Sequence, residues 1–302
     1  MNTLRNTLAI ILIPLSGLQL KAQENKGNKP IQDIVVASFS NTNYSTESFS
    51  NDGIDSEVGL RELKGSIRLP IYMNHKKISI IGGGTFSHMN LDLSNNSYIP
   101  LNSRDFYSFG TEIVAFKNIG KKSWKGIIHS HTFVASDMKQ SISGDDIYYS
   151  IMALASKRKS KDFEYGFGFI FGNKFGGTKI YPILKVNYRK NNWETNVSIP
   201  VHASQFYNFK KFKLGISSDL ANSIYSVDND FSTEYDIDKI SNFKFNVGPE
   251  FETTLYKKIK LNVKSGMTLG NKYEFLDKDT HLQTEVNPDN SLFFRVGLKL
   301  VH

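Results

Sequence analysis

From about residue 32 to the end, apolar residues recur at every second position, and short polar groups divide them into segments. Successive side chains of a strand point to opposite faces, so each segment predicts a strand with one apolar and one wet face. In 291–302, Leu292, Phe294, Val296, Leu298 and Leu300 share one face. Ser291, Phe293, Arg295, Gly297, Lys299 and Val301 share the other. In 163–172, Phe163, Tyr165, Phe167, Phe169 and Phe171 alternate with Glu164, Gly166, Gly168, Ile170 and Gly172. The same reading predicts strands over 33–40, 62–72, 78–93, 107–113, 124–135, 146–156, 179–189, 212–217, 243–255 and 259–275. A polar loop is expected between the first two. The stretch 193–209 is expected to be a hairpin split at Pro200, because proline donates no ladder bond.

The wet faces carry charges of both signs and many glycines. Charge burial forbids them from the dry core of a sandwich. Several segments exceed ordinary globular strands and suit tilted membrane spans of about 9–11 residues with extensions. Tight turns near 74, 120, 158, 191, 209 and 257 alternate with longer polar loops near 50, 98, 141, 232 and 283. Tyr72, Trp124, Tyr188, Trp193, Tyr207, Phe212, Tyr256 and Tyr273 flank the turns like interfacial girdles. The predicted fold is all-β: a single transmembrane antiparallel β-barrel over 32–302. Turn rhythm requires an even strand number, about fourteen, or twelve if the first segment or the 193–209 hairpin lies outside. The last strand is expected to pair with the first near 34–39, leaving no edge.

Composition refines this picture. The 302 residues include 22 Phe and 14 Tyr, no Cys, and a formal charge of +8. Without Cys there is no disulfide frame or thiolate site. A mean hydropathy of −0.33 fits an alternating barrel as well as a soluble domain. At the amino terminus, Arg5 precedes the apolar run 8–20, which is too short to span and is interrupted by Pro14 and Gly17. It reads as a secretory signal peptide, 1–22, cleaved after Ala22, with a flexible lead-in over 23–31.

The expected lumen-lining residues are Glu62, Lys64, Arg68, Glu112, Glu164, Lys185, Glu194, Lys213, Lys244, Glu250, Glu252, Lys260, Lys264, Glu274, Arg295 and Lys299. They line a narrow aqueous pore or pair into a polar filling. His129 and His131 share one strand face and are read as a lumen-facing pair. The alternative is a metal or catalytic role, for which Ser130 points the wrong way. Gly82, Gly83 and Gly84 mark a bulge or the close approach of a lumenal group. Asp228, Asp230, Asp236 and Asp238 read as a solvated loop. No metal site or cofactor is predicted. Basic residues crowd the turns (Lys76, Lys77, Lys121, Lys122, Lys157, Arg158, Lys159, Lys161, Lys210, Lys211, Lys257, Lys258). Acids crowd the long loops (Asp52, Asp55, Glu57, Asp145, Asp146, Glu234, Asp277, Asp279). The positive charge therefore points to a rim facing anionic lipid, and not to nucleic acid.

The signal peptide, the strands and the ending Phe294-Arg295-Val296-Gly297-Leu298-Lys299-Leu300 resemble Gram-negative outer-membrane barrels. Leu69-Pro70-Ile71 and Trp193 through Ile199-Pro200, each before a turn, are similar to a domain-of-unknown-function barrel family of Bacteroidota-type bacteria. The resemblance implies an outer-membrane location, outer-membrane lipid around the barrel, and insertion by the barrel assembly machinery through the last strand. It supplies no catalytic residues. The expected function is a porin-like passive channel or transport barrel for small solutes, without enzymatic chemistry. The alternatives are a lipid or lipopolysaccharide hydrolase using His129, His131 or His202, and a closed structural or surface-binding barrel.

Overall fold

The alternating segments pair in sequence order into one antiparallel sheet that closes on itself. The computed structural model describes residues 35–51, 54–74, 78–93, 103–119, 123–174, 177–228, 231 and 236–301. The expected signal peptide, the lead-in, several turn lysines (Lys76, Lys77, Lys121, Lys122) and the loop acids Asp52, Asp230 and Glu234 lie outside them. The strands are β1 (Val35–Asn51), β2 (Ile54–Met73), β3 (Ser79–Asp92), β4 (Arg104–Ile119), β5 (Trp124–Ser136), β6 (Ile147–Arg158), β7 (Phe163–Gly172) and β8 (Lys179–Lys190). They continue as β9 (Trp193–Ile199), β10 (His202–Asn208), β11 (Phe212–Ser226), β12 (Lys239–Tyr256), β13 (Ile259–Leu276), β14 (Leu282–Val286) and β15 (Ser291–Val301).

Fourteen of them form the ring. β15 pairs with β1 on one side, from Val35 opposite Val301 to Tyr44 opposite Phe293, and with β13 on the other. The short β14 pairs only with the end of β13. Closure satisfies both terminal edges, as a hydrocarbon environment demands. The 193–209 stretch is the expected hairpin, β9 and β10.

Around the wall the outward set is apolar and exposed: Ile67, Ile113, Ile128, Phe167, Leu184, Ile216 and Phe294 each leave 45–61% of their surface uncovered. A continuous apolar band of this kind is costly in water and matches lipid. The chain is a transmembrane antiparallel β-barrel.

Three expectations are corrected. The polar stretch after residue 40 is not a loop; β1 and β2 continue through it. Strands that emerge from a bilayer need no apolar face, so alternation fades while the ladder persists. The loop near 283 contains β14. Third, Tyr273 is not a girdle residue but is buried inside, and Glu274 does not face the lumen. A bulge causes this third correction. Between the pairs Phe243–Lys272 and Phe245–Leu269, β13 carries one extra residue, with Gly270 at φ +67°. One extra residue moves every later side chain to the other face. The inward set therefore changes from Lys264 and Thr268 to Asn271, Tyr273 and Phe275. Glu274 instead shares Lys272 with Glu285.

The two ends of the barrel differ. At the long-loop end the inward side chains are apolar and buried, including Tyr44, Leu60, Leu91, Phe106, Tyr148, Tyr225, Ile240, Tyr273 and Phe275. Phe231, from the β11–β12 loop, inserts among them and is 1% exposed. Its ring lies 6.4 Å from Phe106 and 6.2 Å from Phe275, with the Arg104 guanidinium 5.0 Å above it. At this end β11 also meets β5 directly: Ser226 pairs with Ser136, and the Asp137 amide donates to the Ser226 carbonyl at 3.2 Å. That contact bypasses β6 to β10 and narrows the barrel. Nearer the turns, the lumen is polar.

Candidate functional site in the barrel lumen

Strand parity places the polar side chains. Directly paired residues of an antiparallel ladder share a face. Thr42 stands opposite both Arg295 and Glu62, Lys213 opposite Glu252, and Glu250 opposite Lys264. The inward face thus receives Glu62, Arg68, Glu112, Glu164, Lys185, Lys213, Lys244, Glu250, Glu252, Lys260, Lys264, Arg295 and Lys299. Lys64 and Glu194 join them.

These side chains are not scattered; they pair into clusters. Asp219 on β11 accepts from both terminal nitrogens of Arg295 (3.2 and 3.1 Å) and also binds Lys264. The Arg295 Nε donates to Thr42 at 3.0 Å, and Lys64 to Glu62 at 3.0 Å. Nearer the turns, Glu252 gathers Lys213 (3.3 Å), Lys260 (3.3 Å) and Lys299 (3.4 Å). Arg189 pairs with Glu194 at 2.8 Å and Lys185 with Glu164 at 3.0 Å. Glu250 accepts from Ser217 and Asn262, each at 2.5 Å. Toward the cap, Lys244 donates to Glu47 (2.8 Å) and Asn271 (2.5 Å), with its ammonium 4.8 Å from the Tyr44 ring and 4.9 Å from that of Tyr273. A carboxylate withdrawn from water is tolerated only when its lone pairs are filled in this way.

His129 and His131 both face the lumen but serve different partners. His129 Nε2 lies 3.0 Å from Glu112, which also holds Arg68 through two bonds of 2.7 and 2.9 Å. His131 Nε2 lies 2.9 Å from the Thr85 hydroxyl. His202 contacts Ser204 at 3.2 Å. Among the described residues, no three His, Asp or Glu side chains are grouped to hold a metal ion.

The glycine run is explained at Gly83. It is paired with Arg68 on one side and Glu112 on the other. A Cβ there would run into the Ile67 carbonyl and come within 3.2 Å of both side-chain stems. The glycine admits a lumenal ion pair; no register shift falls at the run itself.

Sequence reasoning missed Glu47, Asp219, Arg104, Asp137 and Phe231. Asp219 was legible, since it continues the inward series Lys213, Gly215, Ser217. Glu47 was not. It turns inward only because β1 has one extra residue between the pairs Tyr44–Leu60 and Glu47–Val58. Arg104 and Asp137 form a buried pair at 2.8 Å between strand ends.

Outside the spans, burial and then the nearby Lys64 ammonium push Lys174, in the β7–β8 loop, below the usual lysine range. Burial, followed by Asp236, raises the Asp238 carboxyl.

A family model described as Domain of unknown function (DUF6268) matches residues 18–301. The chain belongs to this family. No curated protein matches it. Among solved structures it is similar to the COG4313 outer membrane channel from Pseudomonas putida F1, at 10% identity, covering 93% of this chain and 100% of that one, with a TM-score of 0.45. It is also similar to the translocator domain of the autotransporter NalP from Neisseria meningitidis, at 9% identity, 89% of each chain and a TM-score of 0.38. A mutant Rh. blastica porin matches at 7% identity, over 89% of this chain and 100% of that one, with a TM-score of 0.29.

Proposed function

We propose that this DUF6268 protein is a gated conduit for small solutes in the outer membrane, without chemistry of its own. The supporting observation is the division of the lumen into a polar, charge-paired part and an apolar cap completed by a loop residue, Phe231. An open pore has no use for such a cap, and a purely structural barrel has no use for so polar a lumen. The partners in this reading are outer-membrane lipid against the apolar band and the barrel assembly machinery at β15. A hydrolase is disfavoured because, among the described residues, the acid and the hydroxyl meet different histidines. Glu112 holds Arg68 and His129 but does not orient the His131–Thr85 pair. Asp219 holds Arg295 and Lys264 and does not orient the His202–Ser204 pair.

Single-channel recording in a planar bilayer tests this. The native protein should show rare, small openings, and Phe231→Ala should open more often. Wide, steady steps from the native protein would refute the cap as a gate. Silence from both, with each shown to be folded by heat-modifiability, would leave a closed structural barrel.

A further inference from the structure

A cavity of about 310 Å³ lies between the polar lumen and the cap. Its wall has a distinct chemistry. Lys64, Lys174 and His131 line it, and no Asp or Glu does. Glu62, the acid that holds Lys64, stands outside the wall. Six Ser or Thr side chains, Ser66 and Ser87 among them, supply hydroxyls, and Phe133 and Tyr225 supply rings. Asn222 also borders it.

Lys174 and Lys64, the latter already held by Glu62, border one space with no carboxylate in its wall, so an anion that shares their ammonium groups is favoured over a cation there. The many hydroxyls suit a ligand that carries hydroxyls of its own. The volume is at the lower end of ligand pockets, about 300 Å³ upward, and suits a molecule of monosaccharide size.

We propose that this cavity binds a small hydroxylated anion, a sugar carboxylate or sugar phosphate. The site rests on the conduit reading only for how the solute arrives. The lowered pKa of Lys174 agrees with it, since a bound anion would offset the cost of burying that ammonium and the repulsion from Lys64 that lower it.

Isothermal titration calorimetry on the folded full-length barrel in nonionic detergent tests the proposal, with glucuronate, glucose 6-phosphate and glucose as probes. At least one anion should bind, with glucose weaker by about tenfold or more. Which anion binds distinguishes carboxylate from phosphate. Lys174→Met should weaken the anion by a similar factor, and Lys174→Arg should largely restore it. On the native protein, raising NaCl should weaken the anion, a readout independent of how any variant folds. Absence of heat from both anions, equal binding of glucose, or affinity indifferent to salt would overturn the site. Binding by a barrel that stays silent in bilayers would refute the conduit alone; conductance without binding would refute the cavity alone.

Discussion

Arg295 on β15 and Asp219 on β11 lie 76 positions apart and meet through a two-pronged contact of 3.2 and 3.1 Å. Their strands are not neighbours in the ring, since β12 and β13 lie between them. The pair therefore spans lumen, joined by Lys264 from β13, and helps to fill the barrel's middle. Removing the shared acid would leave two cations facing each other. Asp219→Ala should destabilise the barrel by about 3–5 kcal/mol, read as a lower urea midpoint in detergent. A loss below about 0.5 kcal/mol would mean that water already screens the cluster.

The cap should behave as a packed core. Phe106 is fully buried against Tyr225 and Phe231. Phe106→Ala should cost about 3–5 kcal/mol, the range for a buried ring. On the outer face, Ile216→Arg should cost about 2–4 kcal/mol if it lies near the bilayer centre. Unfolding from lipid vesicles measures both. An Ile216→Arg barrel as stable as the native one would contradict lipid contact at that position.

Gly83 and Gly84 provide a paired test. A methyl group at Gly83 collides with the Ile67 carbonyl and crowds Arg68 and Glu112, whereas at Gly84 its nearest neighbours are 3.9 and 4.0 Å away. Gly83→Ala should lose about 1–3 kcal/mol by overpacking, and Gly84→Ala should be close to neutral. Equal effects in a denaturant titration would refute the close-approach account.

The β13–β14 turn should be acid-sensitive. The His281 amide, and then its side chain, hold the Asp277 carboxyl below the usual aspartate range. A depressed carboxylate pKa adds stability that is present above the unfolded value and lost as pH falls through the folded one. Amide protection at 277–281, taken relative to each amide's intrinsic exchange rate, should therefore persist through mildly acidic pH and fall only below the ordinary aspartate range. Asp277→Asn should abolish that dependence; an unchanged profile in this variant would assign it to another group.

Alternation determined the faces of Lys264, Arg295 and Lys299, and with the turn rhythm, the girdle aromatics and Pro200 it determined the barrel, the pairing of its first and last strands and the 193–209 hairpin. It could do so because a period of two fixes which side chains share a surface, and because lipid outside and water inside need opposite chemistry on the two faces. The tertiary structure decided what alternation does not encode. Single extra residues in β1 and β13 turned Glu47, Asn271 and Tyr273 inward, and a bulge leaves almost no trace in a polar extension. The approach of β11 to β5, the entry of Phe231 and the meeting of Asp219 with Arg295 depend on side chains far apart in sequence. Whether the lumen is filled therefore follows from which inward residues reach one another across it, and only closure of the ring brings them together.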